Sequence, residues 1–245
     1  METSKIAFIT GANRGLGLEI GRQLGKLKIK VLLGARNEES GREAASQLKT
    51  EGIDAEFIPI DVTDNKSIEN AASVVKRRYG KLDILINNAV FFNRENQSPS
   101  IIPPDLLHNY LNTNFIGPVL VSQAFLPLIR ESSAGRIVNL STSIGSLATM
   151  GDSVNTNPKI ATATPLGYSS SKAALNMFTV LLAKELKETN IKVNSADPGL
   201  TQTDMGGKDA TYTVEEGARP VVWLACLDEH GPTGGFFSHK KVNPW

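Results

Sequence analysis

Tyr168 and Lys172 are four residues apart in the sequence, at the start of a segment that we predict to be helical. Residues at positions i and i+4 of a helix lie on one face, so the phenol and the ammonium can reach the same site. A free tyrosine has a pKa of about 10, and a nearby positive charge lowers it. The pair therefore predicts a general acid or base, with Lys172 lowering the pKa of Tyr168.

A glycine-rich loop lies between the first predicted strand and the first predicted helix. It has the sequence Thr10-Gly11-Ala12-Asn13-Arg14-Gly15-Leu16-Gly17. Glycine permits positive φ and a close approach of the backbone to a ligand, and a helix N-terminus presents free N–H groups to an anion. Other turns also need glycine, but in the first βα turn of an alternating chain this loop predicts a pyrophosphate site.

The second predicted strand ends without the acidic residue that would bind the ribose 2′-OH of NAD. Arg36 and Asn37 follow that strand instead. The guanidinium groups of Arg36 and Arg14 suit a 2′-phosphate, which accepts forked, charge-assisted hydrogen bonds. We therefore predict NADP(H) rather than NAD(H) as the cofactor. The alternative is that both arginines are solvated surface residues.

Short apolar segments alternate with longer amphipathic ones along the whole chain. The predicted strands are Lys5–Thr10, Lys30–Ala35, Ala55–Ile60, Leu82–Asn87, Arg136–Leu140 and Lys192–Ala196. The predicted helices are Leu18–Leu27, Glu38–Lys49, Asn65–Arg78, Pro118–Arg130, Ser169–Lys187 and Val214–Leu227. This order predicts an α/β fold, a single-domain Rossmann-type doubly wound parallel sheet flanked by helices over residues 1–245. The long irregular segment 146–167 is expected to be functional.

Composition narrows the classes of partner. The 245 residues are 40% hydrophobic and 21% charged, with a net charge of +1, which provides no field for nucleic acid or an anionic membrane. No segment is long and apolar enough to span a bilayer, we find no secretory signal, and the one cysteine, Cys226, cannot form an internal disulfide. We expect a cytoplasmic protein, with no membrane or nucleic-acid partner. The three histidines lack metal-ligand spacing, so we expect no metal site.

The pattern T-G-x-x-x-G-x-G, the sequence Asn87-Asn88-Ala89, the Tyr-x-x-x-Lys pair and the PGLTQTDM segment together resemble the short-chain dehydrogenase/reductase family. The resemblance covers nearly the whole chain, although Val90 replaces the glycine that follows Asn-Asn-Ala in the family. It implies cofactor contacts at Gly11, Asn13, Arg14, Gly15, Leu16, Gly17, Arg36, Asp61, Val62, Asn88, Ala89, Tyr168, Lys172, Pro198, Gly199, Thr201 and Thr203. Asp61 would bind the adenine amino group, or it would cap the next helix, for which Asp64 is the better candidate.

The same resemblance implies four catalytic residues, Asn114, Thr142, Tyr168 and Lys172. Asn114 would hold a water of the proton relay, and Lys172 would bind the nicotinamide ribose. Thr142 is at the position of the family's catalytic serine. A threonine hydroxyl donates the same hydrogen bond, but its β-branch stiffens the side chain. Ser141 or Ser143 could act instead after a small shift in register.

The sequence G-A-R-N after the second strand and the ending Gly231-Pro232-Thr233-Gly234-Gly235-Phe236-Phe237 look like the carbonyl reductase branch of the family. That branch implies NADPH-dependent reduction of an aldehyde, ketone or quinone, with Tyr168 as proton donor. Phe91, Phe92 and Met205, with segments 146–167 and 198–212, suggest an apolar substrate pocket. Two alternatives stay open: a non-catalytic NADP(H)-binding sensor or scaffold, and an alcohol dehydrogenase that works in the oxidative direction. We expect a monomer or a small homo-oligomer.

Overall fold

The computed structural model describes residues 5–93, 95, 97–152, 162–239 and 241–245. The described strands form one eight-stranded sheet. They are, in chain order, β1 (Ile6–Thr10), β2 (Lys30–Ala35), β3 (Ala55–Pro59), β4 (Ile84–Asn87), β5 (Arg136–Leu140), β6 (Lys192–Ala196), β7 (Phe236–Ser238) and β8 (Lys241–Val242).

Helices connect most of these strands. They are, in chain order, α1 (Gly15–Lys26), α2 (Glu38–Thr50), α3 (Asn65–Tyr79), α4 (Pro104–Leu111), α5 (Gly117–Arg130), α6 (Leu147–Gly151), α7 (Leu166–Glu185) and α8 (Val214–Ala225). A π-helical segment (Asn112–Ile116) joins α4 to α5, and a 3₁₀ turn (Ser143–Gly145) follows β5.

The sheet order is β3-β2-β1-β4-β5-β6-β7-β8. Strands β1 to β7 pair in parallel. Strands β2 and β3 lie on one side of β1 and strands β4 to β7 on the other, so the strand order reverses between β1 and β4, as in a doubly wound fold. The predicted fold class is confirmed, but the sequence analysis missed two short strands. Strand β7 extends the parallel sheet beside β6, and β8 pairs antiparallel with β7 to form a short hairpin at the lateral edge of the sheet.

Both faces of the sheet are buried, which explains why its strands are apolar without alternation. All five residues of β1 are buried. Ile9 packs on one face with Leu24 of α1 and Leu224 of α8, whereas Phe8 packs on the other face with residues of α3, α5 and α7. The ring of Phe8 lies 4.6 Å from that of Phe125 in α5. Each such large side chain contributes about 1.5–3 kcal/mol when fully buried.

The register of the parallel strands brings their carboxyl ends to one edge of the sheet. Asn87 at the end of β4 is opposite Asn139 of β5, and Leu140 at the end of β5 is opposite Ala196 at the end of β6. The segments that follow β1, β4, β5 and β6 therefore lie side by side. Ligands of open α/β sheets bind at this edge, next to the point where the strand order reverses.

Within the described ranges, no helix has the length and apolar character needed to cross a membrane.

Candidate active site

The glycine loop packs directly against the segment that follows β4. A Cβ at Gly11, where φ is +64°, would lie 2.8 Å from Ala89 Cα, and one at Gly17 would lie 2.5 Å from Asn88 Nδ2. The Asn88 side chain donates to the carbonyl oxygens of Thr10 (2.8 Å) and Gly11 (3.0 Å). Asn88 therefore shapes the loop through hydrogen bonds to its backbone.

Helix α1 begins at Gly15, three residues earlier than predicted, so that Gly15, Leu16 and Gly17 form its first turn. Arg14 at its N-cap makes no side-chain capping bond, which leaves first-turn N–H groups available to a ligand. The nearest atom to a Cβ at Gly15 would be Thr203 Cγ2, at 3.8 Å. The loop after β6 therefore lies opposite the helix N-terminus.

The first turn of α2 lies beside the glycine loop. Ala12 donates its N–H to Gly34 O (3.0 Å), and Asn13 Nδ2 donates to Ser40 Oγ (3.0 Å). Arg14 and Arg36 are both exposed, and Arg14 forms an ion pair with Asp204 at 2.9 Å. The structure thus has two exposed guanidinium groups on adjacent segments, where the sequence predicted a 2′-phosphate site.

Asp61 and Val62 follow β3. Asp61 Oδ1 accepts from the N–H (2.9 Å) and the hydroxyl (2.7 Å) of Thr63, so it orders its own loop. Asp64, as predicted, caps α3 by accepting from Lys66 N. Val62 is buried against Gly117, at the start of α5.

Tyr168 and Lys172 lie in the first two turns of α7, and Lys172 Nζ is 5.9 Å from the centroid of the Tyr168 ring. Lys172 is 3% exposed and donates to the carbonyl oxygen of Leu140 at 2.8 Å. The ring of Tyr168 makes edge contacts with those of Phe92 (5.7 Å) and Tyr110 (6.3 Å). The pair therefore lies on one helix face beside the end of β5.

The pKa of Tyr168 differs from the lowered value that the sequence predicts. Burial raises the pKa of Tyr168 above its usual value, and the negative charge of Asp197 raises it further. Burial also lowers the pKa of Lys172 to about 7. A lysine with such a pKa is only partly charged at neutral pH, so it offers little positive charge to stabilise a phenolate.

Asn114 lies in the π-helical segment and is 0% exposed. Its Oδ1 accepts from Phe91 N at 2.7 Å, and its Nδ2 donates to Phe91 O (3.1 Å) and Ser171 Oγ (3.2 Å). Ser171 donates in turn to the carbonyl oxygen of Tyr168. Asn114 thus connects the segment after β4 to α7. The widened helical turn around it is typical of functional sites.

The three hydroxyl residues after β5 differ in exposure. Ser141 is 3% exposed, and its Oγ has no hydrogen-bond partner among the described residues. Thr142 and Ser143 are half-buried, and Ser143 donates its N–H to Asp197 Oδ2 at 2.9 Å. The greater exposure of Thr142 and Ser143 therefore favours one of them, rather than Ser141, as the hydroxyl that can reach a substrate.

The loop after β6 contains the remaining predicted cofactor residues. Thr201 is buried, and its hydroxyl donates to the carbonyl oxygens of Pro198 (3.2 Å) and Gly199 (3.1 Å). Thr201 also forms a β-bridge with Tyr212. These contacts make the predicted segment 198–212 a closed loop beside α1.

Two residues that contact this site were missed by the sequence analysis. Gln97 is buried, and its Oε1 accepts the N–H of Tyr168 at 3.0 Å. Asp197 accepts from both the Ser143 turn and Gly199. Neither residue belongs to a spacing pattern, so only their packing identifies them.

Part of the predicted substrate loop lies outside the described residues, namely 153–161. Before that gap, α6 exposes Leu147, and the N–H of Ala148 donates to the carbonyl oxygen of Trp245 at 3.0 Å. Val90 and Phe92 are exposed on the segment after β4. The described part of this side of the site is largely apolar.

The residues present fit a bound dinucleotide. The first turn of α1 has N–H groups without a side-chain cap, Thr203 lies close to Gly15, and two exposed arginines lie in the loop (Arg14) and after β2 (Arg36). In the described part of the chain, no group of three or more His, Cys, Asp or Glu residues could hold a metal ion.

The fold is of the doubly wound α/β class, and the site lies at the sheet edge where proteins of this class bind their ligands. The family model for the short chain dehydrogenases matches residues 5–212. The chain belongs to the short-chain dehydrogenase/reductase family, which confirms the resemblance found in the sequence.

Individual relatives agree with this assignment. The chain is 35% identical to a (+)-neomenthol dehydrogenase of Arabidopsis thaliana, covering 99% of this chain and 98% of the relative. It is 34% identical to carbonyl reductase [NADPH] 1 of Oryctolagus cuniculus, covering 98% of each. The crystal structure of an NADPH-bound carbonyl reductase from chicken fatty liver has a TM-score of 0.85 at 29% identity, covering 99% of both chains. The similarity to the carbonyl reductase branch is therefore confirmed.

Proposed function

We propose that this protein is an NADPH-dependent carbonyl reductase that acts on an aldehyde, ketone or quinone, with Tyr168 as the proton donor. The observation that carries the proposal is the position of Tyr168 and Lys172, which lie 5.9 Å apart (Nζ to ring centroid) at the ligand-binding edge of the sheet. The similarity to carbonyl reductases over nearly the whole chain supports the same reaction.

Two features support NADP(H) as the cofactor. Arg14 in the glycine loop and Arg36 after β2 are exposed, and their guanidinium groups can bind a 2′-phosphate. The relatives named above include enzymes described as NADPH-dependent or NADPH-bound. We infer that the first turn of α1 binds the pyrophosphate, with Asn13, Leu16, Asp61, Val62, Asn88, Ala89, Pro198, Gly199, Thr201 and Thr203 lining the rest of the cofactor site.

When bound, the reduced nicotinamide supplies a hydride to the carbonyl carbon. Tyr168, whose pKa burial raises above its usual value, is a neutral phenol at neutral pH, so it can donate a hydrogen bond and then a proton to the substrate oxygen. The Thr142 hydroxyl, which is half-buried, donates a second hydrogen bond to the same oxygen.

Lys172 has a pKa of about 7, so it can release or accept a proton near neutral pH. We infer that it returns a proton to Tyr168 after turnover and binds the nicotinamide ribose. Asn114 orders the backbone of Phe91 and the start of α7, and it is the candidate for holding a relay water.

The exposed apolar side chains of Val90, Phe92, Leu147 and Leu200 support a hydrophobic substrate. We infer a single catalytic domain over residues 1–245, with segments 146–167 and 198–212 on the substrate side. The monomeric or small homo-oligomeric state and the cytoplasmic location stay predictions.

The oxidation of an alcohol by the same residues is the second candidate. It is favoured by the 35% identity to a relative named as a neomenthol dehydrogenase. The NADPH-oxidation assay below also distinguishes both candidates from a non-catalytic NADP(H)-binding sensor or scaffold.

The test is an NADPH-oxidation assay over aromatic aldehydes, diketones, quinones and cyclic ketones. We expect turnover of at least one class, and Tyr168→Phe should lower kcat by at least about 10²-fold, the usual contribution of general acid catalysis, while NADPH affinity is unchanged. Tyr79→Phe is the matched control, because the Tyr79 hydroxyl bonds Glu56 far from the site. In the same assay, Thr142→Ala should lose activity that Thr142→Ser retains.

Tight NADPH binding without turnover of any compound would instead support the sensor. An active Tyr168→Phe variant would contradict the assigned proton donor.

A further inference from the structure

Helix α7 begins without a side-chain cap from its own N-cap residue. That residue is Pro165, whose side chain cannot accept a hydrogen bond. The first N–H groups of a helix have no acceptor within it, so they need one from elsewhere. The first bond within α7 is donated by Ser169 N to Pro165 O, at 2.9 Å. The N–H groups that precede it belong to Leu166, Gly167 and Tyr168, so Tyr168 lies in the turn that depends on an external partner.

Gln97, in the segment between β4 and α4, supplies two of these acceptors. Its side-chain Oε1 accepts the N–H of Tyr168 at 3.0 Å, and its backbone oxygen accepts the N–H of Leu166 at 3.1 Å. Gln97 is 8% exposed, so water competes little for these bonds. A residue 71 positions from Tyr168 thus does for α7 what a serine or aspartate at the N-cap does for other helices.

The side chain of Gln97 is itself held by its surroundings. Its Nε2 donates to Asn93 O at 3.3 Å. The Tyr110 hydroxyl in turn accepts from Asn93 N and donates to Asn93 O, both at 2.9 Å. A Cβ at Gly167 would lie 2.4 Å from Tyr110 Cδ2, so the first turn of α7 packs directly on the same ring. The segment that contains Gln97 and the first turn of α7 are therefore packed together around Tyr110.

The same segment also contacts the side chain of Tyr168. The ring of Phe92 lies 5.7 Å from the ring of Tyr168, with an angle of 84° between their planes. Lys172, one helical turn later, is fixed separately by its bond to Leu140 O at 2.8 Å. Loss of the bond from Gln97 would therefore release Tyr168 without releasing Lys172.

We propose that Gln97 is a positioning residue for carbonyl reduction, which caps α7 from the segment after β4 and so fixes the Tyr168 hydroxyl against the substrate oxygen. The inference rests on the proposed function, in which Tyr168 is the proton donor. Misplacement of a reacting group by about 1 Å can lower a rate by about 10²-fold, so a frayed first turn is enough to slow proton donation.

The first test is the kcat of Gln97→Met, measured with a substrate found in the NADPH-oxidation assay. Methionine is similar in length to glutamine but provides only a weak acceptor. We expect kcat to fall by about tenfold with an unchanged KM for NADPH, because Lys172 keeps its own bond. Gln97→Glu retains an acceptor whose charge suits a helix N-terminus, so its kcat should stay within about threefold of the wild type. Gln47→Met is the matched control, because Gln47 is exposed on α2.

A double variant separates positioning of Tyr168 from a general loss of structure. In the Tyr168→Phe background the hydroxyl that Gln97 positions is absent, so adding Gln97→Met should change kcat by less than about twofold. A purely structural role predicts the same loss of about tenfold in both backgrounds, since independent effects add in free energy.

Amide hydrogen exchange, followed by NMR in the protein without added NADPH, tests the cap independently of any reaction. The Tyr168 N–H should exchange slowly in the wild type and at least about tenfold faster in Gln97→Met, because its acceptor is lost. If Gln97→Met does not fold, Gln97→Ser provides the same comparison, because the serine hydroxyl is two bonds shorter than the Gln97 amide.

An unchanged exchange rate of the Tyr168 N–H in the variant would overturn the cap. Equal losses of kcat in Gln97→Met and Gln97→Glu, or equal losses in the two backgrounds, would overturn the positioning role. Failure of the proposed function is distinguishable from both, because Tyr168→Phe would then stay active or no compound would be reduced, whereas the exchange rates would still report the cap.

Discussion

The glycine loop after β1 and the turn after β5 lie at the same edge of the sheet, but they are fixed by different interactions. The glycine loop is fixed by its backbone, since Gly11 and Gly17 leave no space for a Cβ and the Asn88 side chain binds the loop carbonyls of Thr10 and Gly11. Its one charged residue, Arg14, is exposed.

The turn after β5 is fixed by buried ionisable side chains. Asp197 accepts from its Ser143 N–H, and Lys172, at 3% exposure, donates to Leu140 O just before the turn. Tyr168 lies beside them with a raised pKa. This difference implies that the structure of the glycine loop is insensitive to pH but sensitive to added side-chain volume. The turn after β5 and the neighbouring Tyr168 should instead be sensitive to the protonation of their buried side chains.

The largest effect is expected on cofactor preference, from the change Arg36→Asp at the end of β2, next to the glycine loop. A hydrogen bond to a charged group contributes about 1.5–3 kcal/mol, and the new carboxylate would repel a 2′-phosphate. The ratio of kcat/KM with NADPH to that with NADH should fall by at least about 10²-fold. Steady-state kinetics with both cofactors measures it.

Arg42→Asp is the matched control for that change, because Arg42 pairs with Glu38 on the exposed face of α2. An unchanged cofactor ratio in Arg36→Asp would mean that Arg36 is a solvated surface residue.

Gly17→Ala should destabilise the protein by about 1–3 kcal/mol, since its Cβ would lie 2.6 Å from Gly11 O and 2.5 Å from Asn88 Nδ2. Gly151→Ala is the control, because a Cβ there meets nothing within 4 Å, and it should change the free energy of unfolding by less than about 1 kcal/mol. Urea denaturation measures both. Equal stability of the two variants would show that the loop can move to accept a side chain.

The region around Tyr168 should show a pH dependence of stability of similar size. Lys172 has a pKa of about 7 in the folded protein and 10.5 as its ordinary value, so between these values only the unfolded chain binds the proton. The destabilisation by Lys172 is therefore complete below pH 7 and is relieved as the pH rises, by up to about 1.4 kcal/mol per unit. From about pH 7 to pH 9 the wild type should gain about 2 kcal/mol relative to Lys172→Met.

Other titrating groups are common to both proteins and cancel in that difference. Parallel stability curves for the wild type and Lys172→Met would show that Lys172 stays charged when buried.

Local patterns predicted most of the sheet and its flanking helices, with shifts of a few residues at their ends. They missed α4, although Pro104 in its first turn and Asp105 beside it are typical of a helix start. They also missed the π-helical segment around Asn114, because that geometry comes from hydrogen bonds to Phe91 and Ser171, which are far away in sequence. The β7–β8 hairpin is too short for a periodic signal.

The sequence by itself determined the fold class, the family, the position of the glycine loop and the spacing of Tyr168 and Lys172, because each of these depends on neighbouring residues or on local periodicity. Tertiary structure alone decided how the pKa values of that pair shift. Burial raised one pKa and lowered the other, and the charge that adds to this effect comes from Asp197, which is 29 residues beyond Tyr168. Desolvation and long-range charge depend on what the folded chain packs around a group, and no local pattern encodes them.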